Sequence, residues 1–146
     1  MDLAFGSNVR EHFYSIGRLA GLEADSFTRA VRNILVSTDG AASGQPQRRP
    51  FAAVQAEHLD GDIELRELPA DVQAPTGGQP VILTSATPLT QDGRRIGHLT
   101  AVEIDPATGR IAAVVGRNQW WSPRLHLEAE HLDFSTSGEI RITDPH

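Results

Sequence analysis

The 146 residues carry 13 Lys and Arg against 19 Asp and Glu, a net charge of −6, which argues against a nucleic-acid binder that works through a generally basic surface. There is no cysteine, so a disulfide framework and a thiolate zinc site are excluded. No apolar run reaches the roughly 18 residues a helix needs to cross a bilayer. The start Met1-Asp2-Leu3-Ala4-Phe5 lacks the basic, then apolar, pattern of a signal peptide, and a soluble cytoplasmic protein is expected.

In chain order, residues 15–24 read as a first long strand and residues 29–37 as its return, with Val31, Ile34, Leu35 and Val36 available to bury. Residues 8–22 fit a helix poorly because Gly17 and Gly21 count against it. Residues 37–49 are rich in Gly, Ser, Gln and Pro and read as a loop. Phe51 to Val54 is expected to be a strand, and Ile63-Glu64-Leu65-Arg66 another. A linker holding Pro69, Pro75 and Gly77-Gly78 follows.

Pro80-Val81-Ile82-Leu83-Thr84 is β-branched and apolar, as a strand requires. Asp92-Gly93 marks a hairpin into residues 94–105. Asp105-Pro106-Ala107-Thr108-Gly109 is a turn, and residues 110–117 return with Ile111, Ala113 and Val115 alternating. Leu125 and Leu127 share a short strand, residues 128–132 form a brief turn, and residues 139–143 form a last alternating strand. Short strands separated by turn residues predict an all-β barrel or sandwich.

The chain also repeats itself. Ile16-Gly17-Arg18-Leu19 matches Ile96-Gly97-His98-Leu99, and Asp25 matches Asp105, at an offset of 80. Glu57-His58-Leu59-Asp60 matches Glu130-His131-Leu132-Asp133 at an offset of 73. On that reading the first copy holds about seven extra residues within 37–49. Each half is of marginal size for an isolated core, so the two are expected to pack on each other or on a partner. The first copy has Ser26-Phe27-Thr28 in place of the Pro-Ala-Thr-Gly turn, so its hairpin is expected to be the more irregular of the two.

Thr90-Gln91-Asp92-Gly93-Arg94-Arg95-Ile96-Gly97, then residues 103–111 (EIDPATGRI) and residues 127–132 (LEAEHL), resemble the PRC-barrel family. That family takes its name from the cytoplasmic domain of the photosynthetic reaction centre H subunit and includes the C-terminal domain of a ribosome maturation factor. The resemblance covers residues 79–143 well and residues 5–67 chiefly through the repeat. His126 stands where the family usually has proline before the Leu-Glu-Ala turn. The resemblance implies two tandem small β-barrels packed as a pseudo-symmetric pair. Residues 1–68 would be a diverged first repeat, 69–78 a linker and 79–146 the second repeat. It carries over no catalytic residue and no cofactor, and it implies a docking or assembly module.

Trp120-Trp121 is the leading candidate for a contact. In a strand the two indoles would face opposite ways, so one would pack between the copies or reach a partner. Arg94-Arg95 at the basic turn and Arg48-Arg49 in the loop are candidates for an acidic partner, with solvated charge as the simpler reading. His58, Asp60 and Asp62 would share a strand face and form a weak set of divalent-metal ligands. No serine lies in a nucleophile elbow and no glycine run has a phosphate-binding pattern, so no enzyme is expected. The expected function is a non-catalytic module that binds another protein or self-associates. A ribosome- or RNA-associated accessory factor and a small-ligand or metal binder are the alternatives.

Overall fold

The computed structural model describes residues 2–11, 14–38, 46–54, 62–66, 79–119, 121–134 and 139–143. The fold is all-β, as expected. In chain order the strands are β1 (Asp2–Ala4), β2 (Asn8–Glu11), β3 (Tyr14–Asp25), β4 (Val31–Ser37), β5 (Gln47–Pro50), β6 (Ile63–Leu65) and β7 (Pro80–Thr84). The second half adds β8 (Pro88–Gln91), β9 (Arg94–Ile104), β10 (Ile111–Arg117), β11 (Leu125–Glu128), β12 (Leu132–Asp133) and β13 (Ile140–Ile142). They form two curled sheets, each a half-barrel. One runs β5-β4-β3-β2-β6 and the other β11-β10-β9-β8-β13-β12. In each, the first hairpin strand pairs in parallel with the last strand, Val9 opposite Ile63 and Leu89 opposite Ile140.

The two halves exchange their leading strands. β1 precedes the first unit in sequence yet pairs with β9, setting Leu3 opposite Val102. β7 precedes the second unit yet pairs with β3, setting Leu83 opposite Leu22. These two pairs are each other's images at an offset of 80, and all four side chains are buried. The buried apolar side chains of both halves form one continuous cluster, from Leu3 and Leu22 through Val102 to Ile140. Burying a Leu or Ile side chain stabilises by about 1.5–3 kcal/mol, so each half draws part of its core from the other.

The hairpin turns meet at the centre of the molecule. Ala30 bridges Arg110, the Val31 N–H donates to the Gly109 carbonyl at 2.9 Å, and the Ile111 N–H donates to the Arg29 carbonyl at 2.9 Å. Every partner here is the other's image at an offset of 80, which places a local twofold between Ala30 and Arg110. The first turn is not the more irregular one. In both, the leading aspartate accepts from a backbone N–H two residues on (Phe27 at 2.8 Å, Ala107 at 2.9 Å). In both, a threonine hydroxyl accepts from the residue two further on, at 3.3 Å. Aspartate and threonine set the turn, and Pro106 is not needed for it. Arg29 takes the left-handed conformation (φ 65°) that Gly109 takes at φ 72°. Its guanidinium donates to the Leu132 carbonyl at 3.3 Å and lies over the Phe134 ring, 5.8 Å from its centroid, contacts that offset the backbone cost of a side chain there.

The offset of 80 holds from the first strand through β4 and β10, which begin and end at matching positions. β5 and β11 match at 78, so the loop before β5 holds two extra residues. The structural counterpart of residues 129–132 is residues 51–54. Phe51–Ala53 forms a 3-10 turn, not the expected strand, and its image is the 3-10 turn Ala129–His131. The Val54 N–H closes on the Phe51 carbonyl as the Leu132 N–H closes on that of Ala129. Val54 bridges Leu65 as Leu132 pairs with Ile142. The position of Glu130-His131-Leu132 is therefore held by Ala52-Ala53-Val54, while Glu57 to Asp60 lie outside the described residues. Backbone closure and one buried apolar side chain, Val54 or Leu132, are what both units need at this point.

Candidate functional site

The twofold provides an internal comparison, because each half presents the same outer face on its long hairpin. In the first half that face holds a buried carboxylate. Glu23 on β3 is 6% exposed; it accepts from the Asn33 amide at 3.0 Å and pairs with Arg48 at 2.7 Å. Leu35 and Ser37 beside it are buried as well. Arg48 and Arg49 belong to β5, not to the expected loop, and Arg49 pairs with Glu11 at 2.8 Å. Two carboxylates on β2 and β3 hold this edge strand in place.

In the second half the equivalent carboxylate is far more exposed. Glu103, the image of Glu23, keeps 44% of its side chain exposed and meets His126 Nε2 at 3.0 Å. His126 stands where Arg48 does, facing Val115 across the strands as Arg48 faces Leu35. Asp2 replaces Ile82, Ala4 replaces Thr84, Val115 replaces Leu35 and Arg117 replaces Ser37. A groove of about 370 Å³ lies on this face. Asp2 and Glu103 lie directly across from each other on β1 and β9 and form one end of its lining. Arg117 and Arg124 also line it, and Ala4, Phe5, Ala101 and Val115 form its apolar floor.

Glu103 raises the pKa of His126 above its ordinary 6.5, chiefly by accepting its hydrogen bond, against a smaller opposing effect of desolvation; the charges of Glu103, Glu128 and Asp2 add to the rise. A histidine whose folded value is raised contributes stability that is fully present below the unfolded value and fades as pH rises through the folded one. The melting temperature of wild type is therefore expected to exceed that of His126→Gln by a small margin at about pH 5.5 and to match it at about pH 8.5. An unchanged gap between the two proteins at both pH values would contradict the assignment. On the other face of the turn, Asp25 has its pKa held below 3.8, first by the Thr28 N–H against the cost of burial, then by the Phe27 N–H and Arg32.

The residues singled out in the sequence do not converge on this groove. Trp121 lies in the loop between β10 and β11 and is 64% exposed, so it is not packed between the halves; Trp120 lies outside the described residues. Arg94 and Arg95 open β9 and are exposed. Asp62 sits 3.9 Å from Arg10, while its two proposed co-ligands, His58 and Asp60, lie outside the described residues. Among the described residues no three His, Asp or Glu side chains are grouped to hold a metal ion. The groove residues were missed because each is an ordinary surface charge when read alone. Their signal lies in comparing the copies, where Ile82 against Asp2 and Ser37 against Arg117 exchange apolar or small for charged.

Fold and face together define an all-β protein of paired barrel-like units whose equivalent outer faces carry different side chains. No family model matches the sequence, and no curated protein matches it. No helix among the described residues is long and apolar enough to cross a membrane.

Proposed function

We propose that the chain is a non-catalytic interaction module of the PRC-barrel type, which docks on another protein or on a second copy of itself. The observation that carries this reading is the exposure of three aromatic side chains: Phe27 at 87%, Tyr14 at 75% and Trp121 at 64%. Each such ring offers about 150–250 Å² for burial, and large apolar groups left in water outside a filled core favour a surface that is covered in an assembly. The outer strand β11, Leu125–Glu128, pairs on one side with β10 and adds a sheet edge suited to strand addition. Light scattering after size exclusion tests the reading. Wild type is expected to gain mass with concentration, or to elute with a co-purifying protein, and Phe27→Ser/Trp121→Ser is expected to lose that mass. A wild type that is monomeric at every concentration and carries no protein with it overturns the proposal.

A further inference from the structure

We infer that the open groove beside β1 and β9 is a binding site for a short zwitterionic peptide, its amino terminus held by Asp2 and Glu103 and its carboxylate by Arg117 and Arg124. This inference stands apart from the proposed docking function, because it uses none of the exposed aromatics.

Three observations support it. The first is the comparison that the twofold provides. At the same positions the first half carries Ile82, Thr84 and Leu35, with Leu35 buried, Ile82 43% exposed and Glu23 paired with Arg48 at 2.7 Å. The second half, where the groove lies, differs at four of the positions on this face. Two of the changes remove apolar bulk (Ala4, Val115) and two introduce charge (Asp2, Arg117).

The second observation is the order of the charges. Glu103 pairs across the ladder with Asp2 on one side and with Ala113 on the other. Arg117 is four residues farther along β10 than Ala113, which at about 3.3 Å per residue puts it roughly 13 Å away at backbone level. The side chains reach inward from both ends, and the remaining gap suits an extended peptide of two or three residues at about 3.3–3.6 Å each. The apolar floor of Ala4, Phe5, Ala101 and Val115 then faces small side chains.

The third observation is size. A groove of about 370 Å³ falls in the range of small-molecule sites, roughly 300–1,000 Å³. A guanidinium matches a carboxylate in a forked geometry, and paired carboxylates match an ammonium group. Opposite charges at the two ends select against a simple anion or cation and in favour of a ligand that carries both.

The test is a two-dimensional amide NMR titration of the full chain with trialanine, N-acetyl-trialanine and trialanine amide. Free trialanine is expected to give saturable shifts in residues 100–103, 115 and 117, with the first-half face unmoved. Capping either terminus is expected to weaken binding about tenfold, the order of one charge-assisted contact. Arg124→Gln is expected to weaken the free and acetylated peptides alike, while leaving the already weak amide unchanged. Asp2→Asn is expected to do the reverse, affecting the free peptide and the amide but not the acetylated form. Both positions are on the surface, so folding is retained and is verified in the same spectra. The inference is overturned by an absence of saturable shifts at millimolar peptide, by equal binding of all three peptides, or by shifts centred on Glu23 and Arg48.

Discussion

Leu83→Ala is expected to destabilise the whole protein by about 3 kcal/mol, the usual cost of cutting a buried leucine to alanine, and to lower the melting temperature by roughly 6–12 °C for a chain of this size. Leu83 sits on the exchanged strand β7 opposite Leu22 and belongs to the cluster that spans both halves. The cavity opens in the first sheet, but the loss should be felt everywhere. Both tryptophans, Trp120 and Trp121, lie in the second half of the chain, so their fluorescence reports on the half that does not contain the Leu22 pairing. In urea, fluorescence and far-UV circular dichroism are expected to shift to the same lower midpoint with a single transition. A fluorescence midpoint that stays at the wild-type value while circular dichroism moves would mean that the halves unfold independently, and the exchanged strands would not couple them.

Gly17→Ala is expected to cost about 3 kcal/mol, combining the strain of a side chain at a backbone conformation reserved for glycine with forced overpacking. Gly17 has φ 148°, and an added Cβ would strike the Ser37 carbonyl oxygen and lie 2.9 Å from its carbon and 3.0 Å from a Val36 methyl. The nearest atoms are backbone of the adjacent strand and cannot swing aside. Gly97 is its image, yet a Cβ there meets the Arg117 carbonyl at 3.1 Å and Gly97 is not among the positive-φ glycines. Gly97→Ala is accordingly expected to cost about 1 kcal/mol, the usual scale for mild overpacking. Denaturant midpoints of the two variants measure the difference directly, and equal losses would show that the two long hairpins are not shaped as described.

The parts of the fold that were legible are those decided by neighbours in sequence. Asp105-Pro106-Ala107-Thr108-Gly109 sets its own turn, and the alternation of Ile111 and Ala113 places β10, because turn chemistry and period-two burial are local properties. The repeat was legible where it reflects packing. Leu19 and Leu99 are both buried, and Gly17 and Gly97 both pass close under the opposite strand. It misled where it rested on four matching letters. The place of Glu130-His131-Leu132 is taken in the first half by Ala52-Ala53-Val54, and the expected seven-residue insertion in the loop is two residues. β2 and β5 were missed because Asn8–Glu11 and Gln47–Pro50 carry too few apolar residues to announce a strand. Their partners make them strands, Ile63 beside Val9 and Glu23 beneath Arg48.

The sequence by itself determined the all-β class, the long hairpins and the exclusion of disulfide and thiolate chemistry, all of which follow from composition, periodicity and turn residues. The tertiary structure alone decided which strand belongs to which sheet and which side chains share each outer face. A strand of three to five residues has no preference of its own for a partner, and burial of Leu3 on Val102 and of Leu83 on Leu22 sets the pairing. Nor does a surface charge announce a site. Asp2 reaches Glu103 only because β1 crosses from one half of the chain to the other.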